Sequence, residues 1–340
     1  MKNFILALCP LLVLPAFFSC TSTPYPKTGD FTQEFSADEK FEFDEIWGYV
    51  FYKRENAYNQ ELPVTDIGYF TEAITSFSEV PAVPPKEKYF SGTQAKVHLV
   101  TSCDSRSQTH LLLSPELPLR DKIIAGLLDA SETYDGLQID WELVSPEDEK
   151  NFLEFLSLIK AGLKDKPLSV AVPARIKTLE KDAYNYSKIS QVADRVIIMA
   201  YDEHWSTSKP GPVASNDWCK KISDYAKTQI PPEKLVMGMS FYGRAWRDDT
   251  LGGKAYIYPT IQEILAKNSV KKHSRDKDGI PSFTITKKMT VTTFYDDALS
   301  LSVRTKMYAE NGINAISFWR LGQEDREYWK YLKIRANSGL

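Results

Sequence analysis

The chain has 340 residues, of which 43% are hydrophobic and 26% charged, with a net charge of −3. That length accommodates one large barrel or two ordinary domains, and the composition is that of a folded globular protein. No basic block interrupts the near-neutral balance, so nucleic acid is not an expected partner, because phosphate binding needs clustered Lys and Arg.

The chain starts with Met1-Lys2-Asn3, and an apolar run from Phe4 to Phe18 follows, broken by Pro10 and Pro15. That run is too short to span a bilayer and predicts a signal peptide over 1–19. Phe17-Phe18-Ser19-Cys20 resembles a bacterial lipoprotein cleavage box, with Phe17 where Leu is usual. The resemblance implies a lipidated Cys20 and an exported protein anchored to a membrane, facing the periplasm or cell exterior. Residues 20–42, rich in Thr, Ser, Pro, Asp and Glu, read as a tether. Only Cys103 and Cys219 remain beyond this segment. Their wide spacing argues against zinc; they form either one disulfide or, the favoured reading, two buried thiols. His98, His110, His204 and His273 are equally scattered, so no metal and no cofactor is expected.

From residue 43 onward, short apolar or aromatic runs alternate with amphipathic stretches of helical length. Strands are predicted at 46–51, 66–70, 95–101, 136–141, 168–172, 195–200, 235–240 and 315–319. Eight runs separated by helix-length stretches predict an α/β protein of (β/α)₈ TIM-barrel type over 43–338, expected to be a monomer. The helix after the fourth strand is the most legible. Ser145-Pro146-Glu147-Asp148 predicts a capped start, and Phe152, Phe155, Leu156, Ile159 and Leu163 recur on one face. Residues 247–297 break the rhythm with a helical piece (260–267), a charged turn (271–279) and β-prone 282–293. They predict a small α+β insertion after strand 7, the alternative being a long loop.

The fourth strand carries the chemistry. Tyr134-Asp135-Gly136-Leu137-Gln138-Ile139-Asp140-Trp141-Glu142 alternates, and successive strand side chains face opposite ways. Leu137, Ile139 and Trp141 suit a helix-covered face. Gln138, Asp140 and Glu142 therefore point into the barrel, with Glu142 at the C-terminal mouth, where barrel active sites are built. Close carboxylates disfavour each other's ionisation, which lets one keep a proton near neutrality and serve as a general acid. Asp135, on the other parity, reads as a cap at the start of the strand.

The run resembles the Asp-x-x-Asp-x-Asp-x-Glu signature of glycoside hydrolase family 18, the chitinase-like barrels; Asp135, Asp140 and Glu142 match, and Gln138 replaces an Asp. Met199-Ala200-Tyr201-Asp202, Phe241-Tyr242-Gly243-Arg244-Ala245-Trp246 and Phe318-Trp319 resemble that family's sixth-, seventh- and eighth-strand segments. Tyr201 to Trp205, with Pro210 to Ala214, is most similar to the bacterial branch containing spore-cortex peptidoglycan hydrolases. The resemblance implies a retaining, substrate-assisted glycosidase acting on N-acetylhexosamine glycan, peptidoglycan or chitin-like. It implies Glu142 as acid and base, Asp140 on the acetamido N–H, and Tyr201 donating its hydroxyl to the acetamido group. Trp319 would floor the sugar pocket, with Asp202, Gln138, Met199, Tyr242 and Tyr49 around the substrate. An amide at Gln138 implies Asp140 ionised over a wider pH range, while still able to hydrogen-bond Asp140. The third strand ends Leu99-Val100-Thr101-Ser102-Cys103-Asp104, without the family's Ser-x-Gly-Gly, which favours peptidoglycan over chitin. Two rival readings stand beside this one. One is a silent, lectin-like glycan-binding barrel, and the other an endo-β-N-acetylglucosaminidase acting on N-glycans.

Overall fold

A computed structural model describes residues 34–36, 38–249, 252–270, 274–287 and 289–336. The signal segment 1–19, Cys20, most of the tether and His273 lie outside the described residues.

Eight parallel strands close into a barrel. They are β1 (Glu45–Phe51), β2 (Asp66–Phe70), β3 (Lys96–Ser102), β4 (Gly136–Asp140), β5 (Leu168–Pro173), β6 (Arg195–Met199), β7 (Leu235–Ser240) and β8 (Ala315–Trp319). Closure is made by β8, which pairs Ala315 with Glu45 on one side and with Val236 on the other. These strands read so clearly because parallel strands under helices are buried on both faces and become short apolar runs. Among the described residues the helices are α1 (Glu87–Phe90), α2 (Arg106–Leu113), α3 (Leu119–Ala130), α4 (Glu149–Leu163), α5 (Tyr186–Val192), α6 (Asn216–Gln229), α7 (Tyr258–Lys267) and α8 (Ala298–Glu310). Most of them cover the barrel.

The alternation of β4 is realised as expected. Leu137, Ile139 and Trp141 are buried in the shared core with Phe152, Phe155, Leu156, Ile159 and Leu163 of α4. Trp141 stacks on Phe155 at 4.8 Å. The expected cap differs. Ser145 makes no cap bond and its hydroxyl donates to Glu147 instead. A 3₁₀ turn (Pro146–Asp148) intervenes, and the Asp148 carboxylate, at the α4 N-cap, is occupied by His110 at 2.9 Å.

The barrel floor is closed by Trp47, Ile197, Val236 and Ala315. Around it, Glu45 accepts from Trp47 Nε1 (2.8 Å) and Arg195 Nε (2.9 Å), and His98 Nε2 lies 2.9 Å from buried Asp66. Charges committed to each other at this end leave the opposite mouth for chemistry.

The α+β insertion after strand 7 is present and begins earlier than expected. Tyr242–Arg247 follows β7 directly and forms the second strand of a five-stranded antiparallel sheet, which α7 accompanies. Buried pairs weld it to the barrel: Arg275 donates to Asp297, the α8 N-cap, at 2.5 Å, and Arg304 to Asp296 at 3.1 Å. At the other end, Phe41–Phe43 pairs in parallel with Leu332–Ile334, so the folded unit includes two residues assigned above to the tether. Cys103 and Cys219 are both free, buried thiols; burial pushes the Cys219 thiol up to about 11. Among the described residues no helix is long and apolar enough to cross a membrane.

Candidate active site

The inward face of β4 rises from Gln138 to Asp140, and Glu142 follows at the mouth. Gln138 is fully buried; its Oε1 accepts from Tyr49 (2.9 Å) and from Ser169 (3.3 Å). Tyr49 can reach inward because Gly68 faces its ring, where a Cβ would come within 2.4 Å. Asp140 is buried, and its Oδ1 and the Gln138 Nε2 are both buried without partners. The expected Gln138–Asp140 hydrogen bond is therefore not made.

A cleft of about 460 Å³ opens above, lined among others by Glu142, Asp140, Trp319, Phe51, Phe70 and Asp104. Trp319 packs against Tyr49, Phe70 and Phe51 with ring centroids 5.5, 4.9 and 5.4 Å away. The resulting aromatic wall offers a ring face of the kind that sugars stack on.

Electrostatics set the two carboxyls apart from ordinary ones. Burial, then Glu142, then Asp104 push Asp140 well above the usual carboxylate range. This corrects the expectation of an Asp140 ionised over a wider range. Losing a neighbouring carboxylate at Gln138 matters less than desolvation plus two acids at the mouth. Glu142 is raised by burial first, then by Asp104 and Asp202. Glu142 is exposed to the open cleft, whereas Asp140 lies buried beneath it. Gln138→Asp is expected to move the Asp140-dependent limb of the pH–rate curve up by about one unit, since a like charge beside a buried acid raises its pKa. An unchanged curve would refute it.

The remaining candidates form a neighbouring group. Tyr201 feels Asp140, Tyr242, Tyr49 and Glu142, and its hydroxyl is held neutral chiefly by burial. Its ring meets Tyr242 edge-on at 6.3 Å. Asp202, at φ +62°, accepts from Arg244 Nη2 at 2.6 Å and also engages the Tyr242 hydroxyl. Met199 ends β6 opposite Pro173, half-buried. Tyr201, Asp202, Met199 and Tyr242 do not line the cleft cavity itself. Asp135 accepts from Val97 N at 2.8 Å and pairs with Lys86, which is a strand-start role.

Four residues were not singled out from the sequence. Asp104 lies two positions past β3, as Glu142 lies two past β4. Phe51 and Phe70 are the last residues of β1 and β2. Those offsets from strand ends were the available signal. Arg244, which pairs with Asp202, stands in the Phe241–Trp246 segment but at no such offset, because its strand belongs to the insertion.

The loop bearing Glu142 is pinned by buried hydroxyls. Tyr184 donates to Trp141 O at 2.6 Å and accepts from Val144 N at 2.8 Å, while Thr109 donates to Leu143 O at 2.9 Å. Tyr184→Phe and Thr109→Val should each lower kcat about tenfold with KM nearly unchanged, because small misplacement of a reacting group is costly. Thr109→Ser should restore the rate; equal losses in both Thr109 variants would sink the idea.

With this geometry in hand, comparison with known proteins is decisive for family. The profile of glycosyl hydrolases family 18 matches residues 120–324, more than half of the chain. The chain belongs to glycoside hydrolase family 18. It is 29% identical over 216 residues to the uncharacterized glycosylase YvbX of Bacillus subtilis, covering 61% of this chain and 62% of that protein. It is 26% identical over 227 residues to the cortical fragment-lytic enzyme of Bacillus anthracis, covering 63% and 53%. The chain thus spans less than two thirds of the length of these relatives. In fold it matches the spore cortex-lytic enzyme SleL of Bacillus cereus with a TM-score of 0.77 at 23% identity, over 87% of this chain and 75% of that one.

Proposed function

We propose that this family 18 chain is a glycoside hydrolase cleaving β-linked, N-acetylglucosamine-containing glycan, with Glu142 as the acid. The carrying observation is Glu142 beside buried Asp140 in a cleft walled by Trp319, with Asp140 raised by burial, Glu142 and Asp104, and Glu142 raised by burial, Asp104 and Asp202. A carboxyl that keeps its proton near neutrality can protonate a departing glycosidic oxygen.

The route proposed is substrate-assisted and retaining. Glu142 gives its proton to the glycosidic oxygen while the substrate's acetamido oxygen attacks the anomeric carbon, and the C–O bond to the leaving sugar breaks. Asp140 accepts the acetamido N–H, and Tyr201 donates its hydroxyl to the acetamido group. The Glu142 carboxylate then removes a proton from water, whose oxygen opens the oxazolinium ring. Two inversions at the anomeric carbon give net retention.

The cortical fragment-lytic relatives favour peptidoglycan over chitin as the polymer. Mass spectrometry of products from peptidoglycan, chitin oligomers and N-glycoprotein tests the reading, with NMR of the first-formed anomer. Glycan binding without new reducing ends from any substrate would instead establish the lectin-like reading. Release of intact N-glycans alone would establish the endo-glycosidase one.

We extend the proposal to the cell envelope on the strength of residues 1–20. The full chain expressed in bacteria should incorporate labelled fatty acid, and Cys20→Ser should abolish incorporation. Labelling that survives in Cys20→Ser would overturn lipidation there.

A further inference from the structure

Beside the cleft, the mouth holds a second cavity of about 330 Å³ between the loops that follow β1 and β8. Arg54, Arg320 and Arg326 line it with Asn56 and Gln323, and among the described residues no acidic one does. It adjoins the cleft through Phe51, whose ring meets Trp319 at 5.4 Å and carries the Arg320 guanidinium at 4.9 Å.

The walls are preformed. Leu321 N donates to Tyr49 O at 3.0 Å, and Tyr258 N, from the insertion, to Gln323 O at 3.0 Å. Gly322, at φ +82°, lets the β8 loop close on Ala57, which would sit 2.9 Å from a Cβ there. Among the described residues none of the three guanidiniums has an ion pair or a side-chain hydrogen bond to the protein.

The nearby acids lie outside its lining, and Glu324 Oε2 is itself buried without a partner. Glu55 accepts from Lys53 N (2.9 Å) and the Tyr69 hydroxyl (2.6 Å), and Glu324 from Trp329 Nε1 (3.4 Å). Asp325 accepts from Ala298 N (3.0 Å) and Glu327 N (3.2 Å), and Glu327 pairs with Lys330. Arg320 is half-buried, and burial together with Arg54 weakens its hold on its charge. Gln323 Oε1 is buried without a partner. The half-buried Arg320 charge, with Arg54 close by, is relieved by an anion in the hollow between them.

We propose that this cavity is an anion subsite that binds a carboxylate substituent of the glycan, next to the sugar resting on Trp319. Guanidinium forks match carboxylate oxygens bidentately, and a partly enclosed site strengthens the contact. The substrate class this selects is an acidic hexosamine polymer, one whose sugars carry a lactyl or peptide carboxylate, over neutral chitin. The inference rests on the glycosidase reading for its substrate and extends it to a part of the mouth with no role in bond cleavage.

The test is calorimetric titration of the full chain carrying Glu142→Gln. The ligands are the disaccharide of N-acetylglucosamine and N-acetylmuramic acid, its lactyl amide, chitobiose and inorganic phosphate. The free acid should bind about tenfold more tightly than the amide, a difference of about 1.4 kcal/mol. Arg54→Ala/Arg326→Ala, both at exposed positions, should reduce that preference to less than about twofold, as should high salt, and leave chitobiose affinity unchanged. Equal binding of acid and amide, or a preference surviving the double variant, would overturn the subsite. Phosphate binding more tightly than the disaccharide, with the same arginine dependence, would overturn the carboxylate assignment. Hydrolysis of chitin oligomers by the unmodified chain separates the two readings. Cleavage without acid preference sinks only the subsite, and acid preference without cleavage of any glycan sinks only the hydrolase.

Discussion

Glu142→Gln is expected to lower kcat by about a thousandfold or more while leaving oligosaccharide affinity within a few-fold, since general acid–base catalysis alone contributes up to about 10⁴. The amide matches the carboxyl in shape and can still accept hydrogen bonds, but it can neither give a proton to the leaving oxygen nor take one from water. Both half-reactions fail together. The acid role also fixes the sign of the pH dependence. Burial, Asp104 and Asp202 raise Glu142, so the proton it must donate persists to higher pH than on a free glutamate, and the rate falls as pH rises through the raised value. Asp104→Asn removes one of those charges and should shift that falling limb to lower pH. Steady-state kinetics on a soluble chitin oligomer checks both, and a Glu142→Gln enzyme retaining a tenth of wild-type kcat would dismiss Glu142 as the acid.

How much of this was visible in the sequence differs by element. The barrel strands could be read because each is a short apolar run buried on both sides, and three of them begin and end where expected, as at Asp66–Phe70. The inward file of Gln138, Asp140 and Glu142 was legible from alternation alone, because strand parity needs no tertiary knowledge. What escaped is what depends on packing between distant segments. Phe41–Phe43 finds its partner at Leu332–Ile334, nearly the whole chain away. Tyr242–Arg247 looks like a continuation of the seventh barrel strand, yet its register is with Lys254–Ile257 and Thr290–Phe294 in the inserted sheet. The Asp140 shift had the wrong sign because the sequence exposes its neighbour at 138 but neither its burial nor the approach of Asp104. Ser145 failed as a cap for a similar reason: a 3₁₀ turn moved the helix start to Asp148, whose carboxylate His110 already occupies.

Asp140→Asn should separate stability from turnover. In the folded chain Asp140 is buried with Oδ1 unpartnered, and its pKa lies well above the unfolded value of 3.8. A carboxyl raised in this way contributes its full share of stability below its unfolded pKa and loses it as pH rises through the folded one. Wild-type stability should therefore decline with pH over that window, and an asparagine, unable to ionise, should remove the decline. Within that window the variant should melt a few degrees higher than wild type, because wild type must take up a proton on Asp140 to fold and an asparagine does not. At acid pH the gain should vanish, a pattern that a merely better-packed variant would not show. The same change should cost activity by about a hundredfold, because an amide cannot give up a proton and become negative as the oxazolinium cation forms beside it. Thermal unfolding across the pH range, paired with kcat, reads both sides. A variant less stable than wild type at neutral pH would show that Asp140 is ionised and well satisfied in the resting protein, and the account of its raised proton affinity would fall with it.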